Sequence, residues 1–152
     1  MTWCYKSKVR YFETDRMGVV HHSNYLRFLE NARTDWMDEN LMRYSELEKL
    51  GVIVPAISAS GNFRGFLHFD EHYTIYVKLI DYTGVRMKFA YEIYSDDTGK
   101  LCYDGETSHF FSSDAQKTGK DYMPISIKNK FPELHKKMLS LLKEGSSGRE
   151  TT

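Results

Sequence analysis

Three successive segments alternate apolar and polar residues with period two, and no other feature restricts the fold as much. Tyr73, Ile75, Val77 and Leu79 alternate with Thr74, Tyr76 and Lys78, and Val85, Met87, Phe89, Tyr91 and Ile93 alternate with Arg86, Lys88 and Glu92. In the third segment Leu101, Tyr103, Thr107, His109 and Phe111 share one face. The turns Asp81-Tyr82-Thr83-Gly84 and Ser95-Asp96-Asp97-Thr98-Gly99 separate them, so the three read as antiparallel strands in succession. One face of that sheet needs an apolar cover. From Ser23 onward Leu26, Leu29, Ala32, Trp36 and Met37 recur at spacings that suit a helix, with Arg27, Glu30, Arg33 and Asp35 between them, which predicts a long helix reaching about Met42.

Weaker signals fill in the rest. A half-buried strand is expected over Tyr5–Phe12, a short helix over Tyr44–Leu50 ended by Gly51, and a strand over Val52–Ile57 with Pro55 where no ladder donor is needed. A loop to Pro124 leads to a helix from about Pro132, with Leu134, Met138, Leu141 and Leu142 as its stripe and Gly145 as its end. The order strand, long helix, further strands predicts an α+β fold in which an antiparallel sheet wraps one central helix. Residues 1–144 are read as one domain and 145–152 as a disordered tail.

Composition excludes several function classes. A chain of 152 residues buries roughly two thirds of its unfolded surface without disulfides or metals. Cys4 and Cys102 are the only cysteines, which points to a reducing, cytoplasmic setting. Lys6, Lys8 and Arg10 are followed by no apolar run of leader type, and no stretch approaches the roughly 18 apolar residues of a membrane span. Lys plus Arg and Asp plus Glu number 21 each, so no net field draws the chain to nucleic acid. The 11 Tyr and 9 Phe suit extensive packed sheet faces.

The run Val9–Leu26 concentrates the chemistry. A polar turn around Asp15, a glycine at position 18 and Ser23 or Asn24 as a helix cap place a carboxylate one loop from a helix N-terminus. Unpaired N–H groups and the positive dipole end suit a developing oxyanion, while the carboxylate attacks or directs water. Taken alone, an Asp before a helix is ordinarily a turn or capping residue.

Glu13-Thr14-Asp15, Gly18-Val19-Val20, His21-His22, Ser23-Asn24-Tyr25 and Glu30-Asn31-Ala32-Arg33 follow one another in order. This series resembles the signature of hot-dog-fold acyl-CoA thioesterases of the 4-hydroxybenzoyl-CoA thioesterase type, in particular the bacterial branch associated with the tol-pal system. The similarity extends, more weakly, to about Pro124. It implies hydrolysis of an acyl-CoA thioester with no bound cofactor, CoA being part of the substrate. Asp15 would be nucleophile or general base, and the backbone N–H of His22 would polarise the thioester carbonyl. Gly18 and Val19 would shape the loop and Phe63, Phe66 and Phe69 the substrate side of the site. The resemblance also implies edge-to-edge pairing into a homodimer, often a homotetramer. An acyl-carrier-protein thioesterase using the same site and a non-catalytic acyl-binding protein are the alternatives.

The blander readings of other residues are also expectations. Adjacent His21 and His22 lack further ligands, so no metal is expected. Glu30 and Arg33 are expected to pair along the helix, His109 to be a packed, hydrogen-bonded histidine, and Asn24 and Tyr25 to cap and pack. One segment departs from the resembled pattern: where Pro, Ala and a basic residue are usual, this chain has Phe66, Leu67 and His68. Phe66 and Leu67 are therefore expected to narrow the acyl pocket and favour short acyl groups, with Arg64 or a lysine supplying the missing cation for CoA phosphate.

Overall fold

The structure is a computed structural model in which residues 3–114 and 122–147 are described. Seven strands are present among them: β1 (Trp3–Lys8), β2 (Val52–Ile53), β3 (Ala56–Phe63), β4 (His72–Tyr82), β5 (Arg86–Ser95), β6 (Leu101–Phe110) and β7 (Ser112–Ser113). The helices are α1 (Asn24–Asn40), α2 (Tyr44–Lys49), α3 (Ile127–Lys130) and α4 (Pro132–Ser147). Five strands form one sheet in the order β1-β4-β5-β6-β3, antiparallel throughout, while β2 and β7 make a separate pair.

The three alternating segments are the centre of that sheet. Tyr73, Ile75, Val77 and Leu79 of β4, Met87, Phe89, Tyr91 and Ile93 of β5, and Tyr103, Thr107 and His109 of β6 are all buried on one face, as the two-residue side-chain period requires. Helix α1 covers this face with Tyr25, Phe28, Leu29, Ala32, Trp36 and Met37. The Phe28 ring stacks on Tyr73 at 4.9 Å between centroids and Trp36 meets Phe89 edge-on at 5.0 Å. Full burial of each such side chain contributes about 1.5–3 kcal/mol.

The flanking elements correct several expectations. β1 ends at Lys8 because its partner β4 begins at His72, directly opposite. Beyond it Val9 turns into the core, and Tyr11–Glu13 form one turn of 3-10 helix in which the Arg10 N–H donates to the Glu13 carboxylate at 2.7 Å. The strand expected over Val52–Ile57 is divided at Pro55, which separates β2 from β3. Gly145 does not end the last helix, which runs on to Ser147. A Cβ at Gly145 would lie 2.7 Å from the Leu79 carbonyl oxygen, so this glycine allows the helix backbone to approach β4. The loop before Pro124 and the tail expected at 145–152 fall partly outside the described residues, at 115–121 and 148–152.

Helix α4 lies against β4, with its Leu134 and Met138 buried. The Tyr82 hydroxyl and His135 Nδ1 are 2.6 Å apart, and Lys137 Nζ donates to the Leu41 carbonyl at the C-terminal end of α1. At the opposite end of the sheet β3 is an edge strand with every residue exposed. No helix among the described residues is long and apolar enough to cross a membrane.

Candidate active site

The loop between the 3-10 turn and α1 is fastened by its own backbone. Asp15 N–H donates to the Val19 carbonyl (2.8 Å), Gly18 N–H to the Asp15 carbonyl (3.0 Å) and His21 N–H to the Glu13 carbonyl (2.9 Å). The turn this closes needs Gly18 at φ 78°, a region that side chains disfavour. Val19 is buried beneath the loop, so both residues shape it.

Asp15 is half-buried, and its Oδ1 accepts the Met17 N–H at 2.8 Å. Its other oxygen makes no hydrogen bond to a described residue. The carboxylate is thus pinned through one oxygen with the other available.

Helix α1 starts without a side-chain cap, which corrects the expectation for Ser23 and Asn24. Ser23 Oγ instead lies 2.8 Å from His21 Nδ1, which also accepts the Ser23 N–H at 3.2 Å. Asn24 is the first helical residue, and its Nδ2 donates to the Glu13 carbonyl at 2.8 Å, tying the helix start to the loop. The His21 and His22 rings lie against each other, tilted by 31°, with centroids 4.1 Å apart. The backbone N–H of His22 faces no hydrogen-bond acceptor among the described residues, and the residue is exposed. An unpaired N–H at a helix N-terminus can donate to an anionic oxygen.

A second segment supports this loop from behind. Val20 N–H donates to the Leu67 carbonyl at 2.8 Å, and Val19 bridges to His68. Leu67 is fully buried, so it belongs to the core and not to a pocket wall. Glu71 Oε1 accepts from the His68 N–H (3.1 Å) and lies 2.7 Å from His68 Nδ1, while Ser95 Oγ donates to Oε2 at 2.6 Å. Burial raises the Glu71 pKa, but these hydrogen bonds outweigh it and hold the carboxyl below its usual range.

The three phenylalanines expected on the substrate side do not come together. Phe63 meets Tyr25 edge-on at 5.2 Å and Tyr103 at 5.5 Å, and Phe69 meets Tyr11 at 5.6 Å. Phe66 is 69% exposed and has no ring partner among the described residues. Arg64, the expected phosphate cation, is engaged by Asp104 at 3.0 Å. The expected Glu30–Arg33 pair is also absent from the described ion pairs. Arg33 turns to the sheet instead, with Nη1 3.3 Å from the Tyr91 hydroxyl.

His109 is the packed histidine expected, with no exposure and Nε2 2.8 Å from the Thr107 hydroxyl. No sequence signal marked the Tyr25–Phe63–Tyr103 cluster, because the three residues lie on separate elements and meet only when β3 pairs with β6 and α1 packs on both. Alternation did mark Tyr103 as inward-facing, the one signal available.

Comparison with known proteins agrees with this architecture. Residues 9–140 match the thioesterase-like superfamily. YneP of Bacillus subtilis (strain 168), named as a proposed acyl-CoA thioesterase, is 32% identical over 128 residues, covering 84% of this chain and 88% of its own. The DHNA-CoA thioesterase of Staphylococcus aureus superposes with a TM-score of 0.87 at 26% identity, over 97% of this chain and 95% of that one. TT1821 of Thermus thermophilus superposes with a TM-score of 0.77 at 29% identity, over 93% and 98% respectively. With the match running through both the Asp15 loop and the sheet, the chain belongs to the thioesterase-like superfamily and has its hot-dog fold.

Proposed function

We propose that this protein is an acyl-CoA thioesterase in which Asp15 carries the chemistry and the His22 N–H polarises the thioester carbonyl. The observation that carries the reading is the shared loop: the His21 N–H and the Asn24 Nδ2 both donate to the Glu13 carbonyl and so tie the segment that carries the Asp15 carboxylate to the helix start that carries the unpaired His22 N–H. As general base, Asp15 takes a proton from water while the hydroxide oxygen bonds to the acyl carbon. The C–S bond then breaks and the proton passes to the CoA thiolate. As nucleophile, the carboxylate bonds to the acyl carbon, expels CoA thiolate and leaves a mixed anhydride that water cleaves. Both routes give a carboxylic acid and CoA and need no added cofactor. In both, charge on the carbonyl oxygen grows toward the transition state, where a fixed N–H is most effective.

The motif order Glu13–Asp15, Gly18–Val20 and Ser23–Tyr25 supports a place beside the 4-hydroxybenzoyl-CoA thioesterase type and its tol-pal-associated branch. The exposed, unpaired edge of β3 supports a homodimer, alone or doubled into a tetramer. The free thiols of Cys4 and Cys102 support a cytoplasmic setting. The deciding experiment is a panel of short, long and aromatic acyl-CoA thioesters with thiol release as readout, in the wild type and in Asp15→Asn. Turnover that falls at least about a hundredfold in a folded Asp15→Asn variant is expected. Near wild-type rates in that variant would remove Asp15 from the chemistry.

A further inference from the structure

Tyr103 leaves β6 directly opposite Phe63 of β3, and its ring then runs along the sheet over two glycines that face each other, Gly105 on its own strand and Gly61 across the ladder. A Cβ at Gly61 would overlap the Tyr103 hydroxyl and lie 2.8 Å from the Asp104 carbonyl oxygen. One at Gly105 would sit 2.5 Å from the Ser60 carbonyl oxygen and 2.9 Å from the Tyr103 ring. Glycine weakens a strand interior and marks close approach of other atoms. Here the approaching group is a phenol.

The Tyr103 ring stacks on Tyr25 at 5.2 Å, and Phe63 closes the third side. Tyr25 and Tyr103 are each 4% exposed, whereas Phe63 is 60% exposed. The aromatic cluster is therefore exposed at Phe63 and buried at Tyr25 and Tyr103. The Tyr103 hydroxyl makes no hydrogen bond to a described residue. Tyr25 is only three residues beyond His22, in the first turn of α1. Through Tyr25 the Tyr103 ring is thus packed against the same helix start that follows the His22 N–H.

We infer that Tyr103 is the gate that sets how deep an acyl group extends, its ring filling over Gly61 and Gly105 the space that a longer chain would use. This rests on the thioesterase reading given above. The test is the ratio of kcat/KM for dodecanoyl-CoA to that for butanoyl-CoA, measured by thiol release on the full chain. Tyr103→Ala is expected to raise the ratio at least about tenfold, since each methylene-sized mismatch in an apolar pocket is worth roughly 10–200-fold. Tyr103→Phe, which keeps the ring, is expected to leave the ratio unchanged.

An unmoved ratio in folded Tyr103→Ala overturns the gate, and so does a rise in Tyr103→Phe as large as that in Tyr103→Ala. Should Tyr103→Ala not fold, Tyr103→Leu takes its place with the same expectation, the same refutation and less loss of packing. Wild-type protein that cleaves neither thioester overturns the gate, and one that also cleaves no aromatic acyl-CoA overturns the thioesterase reading with it. Turnover with an unmoved ratio overturns the gate alone.

Discussion

Lowering the pH from 7 to 5 should cost the folded protein about 2 kcal/mol through His109 alone. The imidazole has no exposed surface and ends a polar chain in which Arg33 reaches the Tyr91 hydroxyl (3.3 Å), Tyr91 lies 2.6 Å from the Thr107 hydroxyl, and Thr107 lies 2.8 Å from His109 Nε2. His109 Nδ1 has no partner of good geometry. Burial above all, and then the Arg33 charge, press its pKa from 6.5 down to about 3, while the approach of the Pro55 and Val54 carbonyls opposes them. A depressed folded-state pKa means that the unfolded chain binds the proton more readily. The stabilisation is therefore fully present above pH 6.5 and is lost progressively as the pH falls toward 3. Over the first part of that window, between pH 7 and 5, linkage gives the figure of about 2 kcal/mol. Urea unfolding followed by intrinsic fluorescence at one fixed protomer concentration measures it. His109→Leu supplies the reference, since the lost Thr107 contact shifts its stability equally at every pH. The wild type should lose about 2 kcal/mol more than His109→Leu between pH 7 and 5. Parallel pH profiles for the two proteins would refute the argument from burial.

Three further outcomes follow from particular contacts. Gly145→Ala should destabilise by about 1–3 kcal/mol, because its Cβ must push α4 off the Leu79 carbonyl, and a melting temperature equal to wild type would show that the helix yields freely. Leu67→Ala should cost about 2–5 kcal/mol as a core truncation; denaturant midpoints check this, and a change in substrate profile without a loss of stability would return Leu67 to the pocket. Light scattering at micromolar concentration should give a mass of at least twice the 17.8 kDa protomer, and a monomer would reject edge pairing through β3.

Period-two alternation sufficed to say which residues of β4, β5 and β6 face inward, because successive side chains of a strand point to opposite sides whatever surrounds them. The short turns made those strands antiparallel, and the spacing of Leu29, Ala32, Trp36 and Met37 identified the helix that covers them. The Asp15 loop was equally legible, since a glycine at a positive φ and backbone closure between Asp15 and Val19 are local events. Strand order was not legible. Nothing in positions 56–63 announces that they pair with β6 and end as a bare edge, or in positions 3–8 that their ladder stops where β4 begins.

The failed expectations share that cause. Glu30 and Arg33 have the spacing of a helical ion pair, yet Arg33 finds Tyr91 on a strand some sixty positions later in the chain. Gly145 has the look of a helix stop, yet its missing side chain serves the carbonyl of Leu79 on β4. Gly61, Gly105 and Tyr103 are unremarkable apart and become a gate only when β3 and β6 pair in one register. Backbone geometry over a few residues is written in the sequence directly, whereas contacts between distant segments depend on which surfaces the whole chain buries together, and only the tertiary structure decides them.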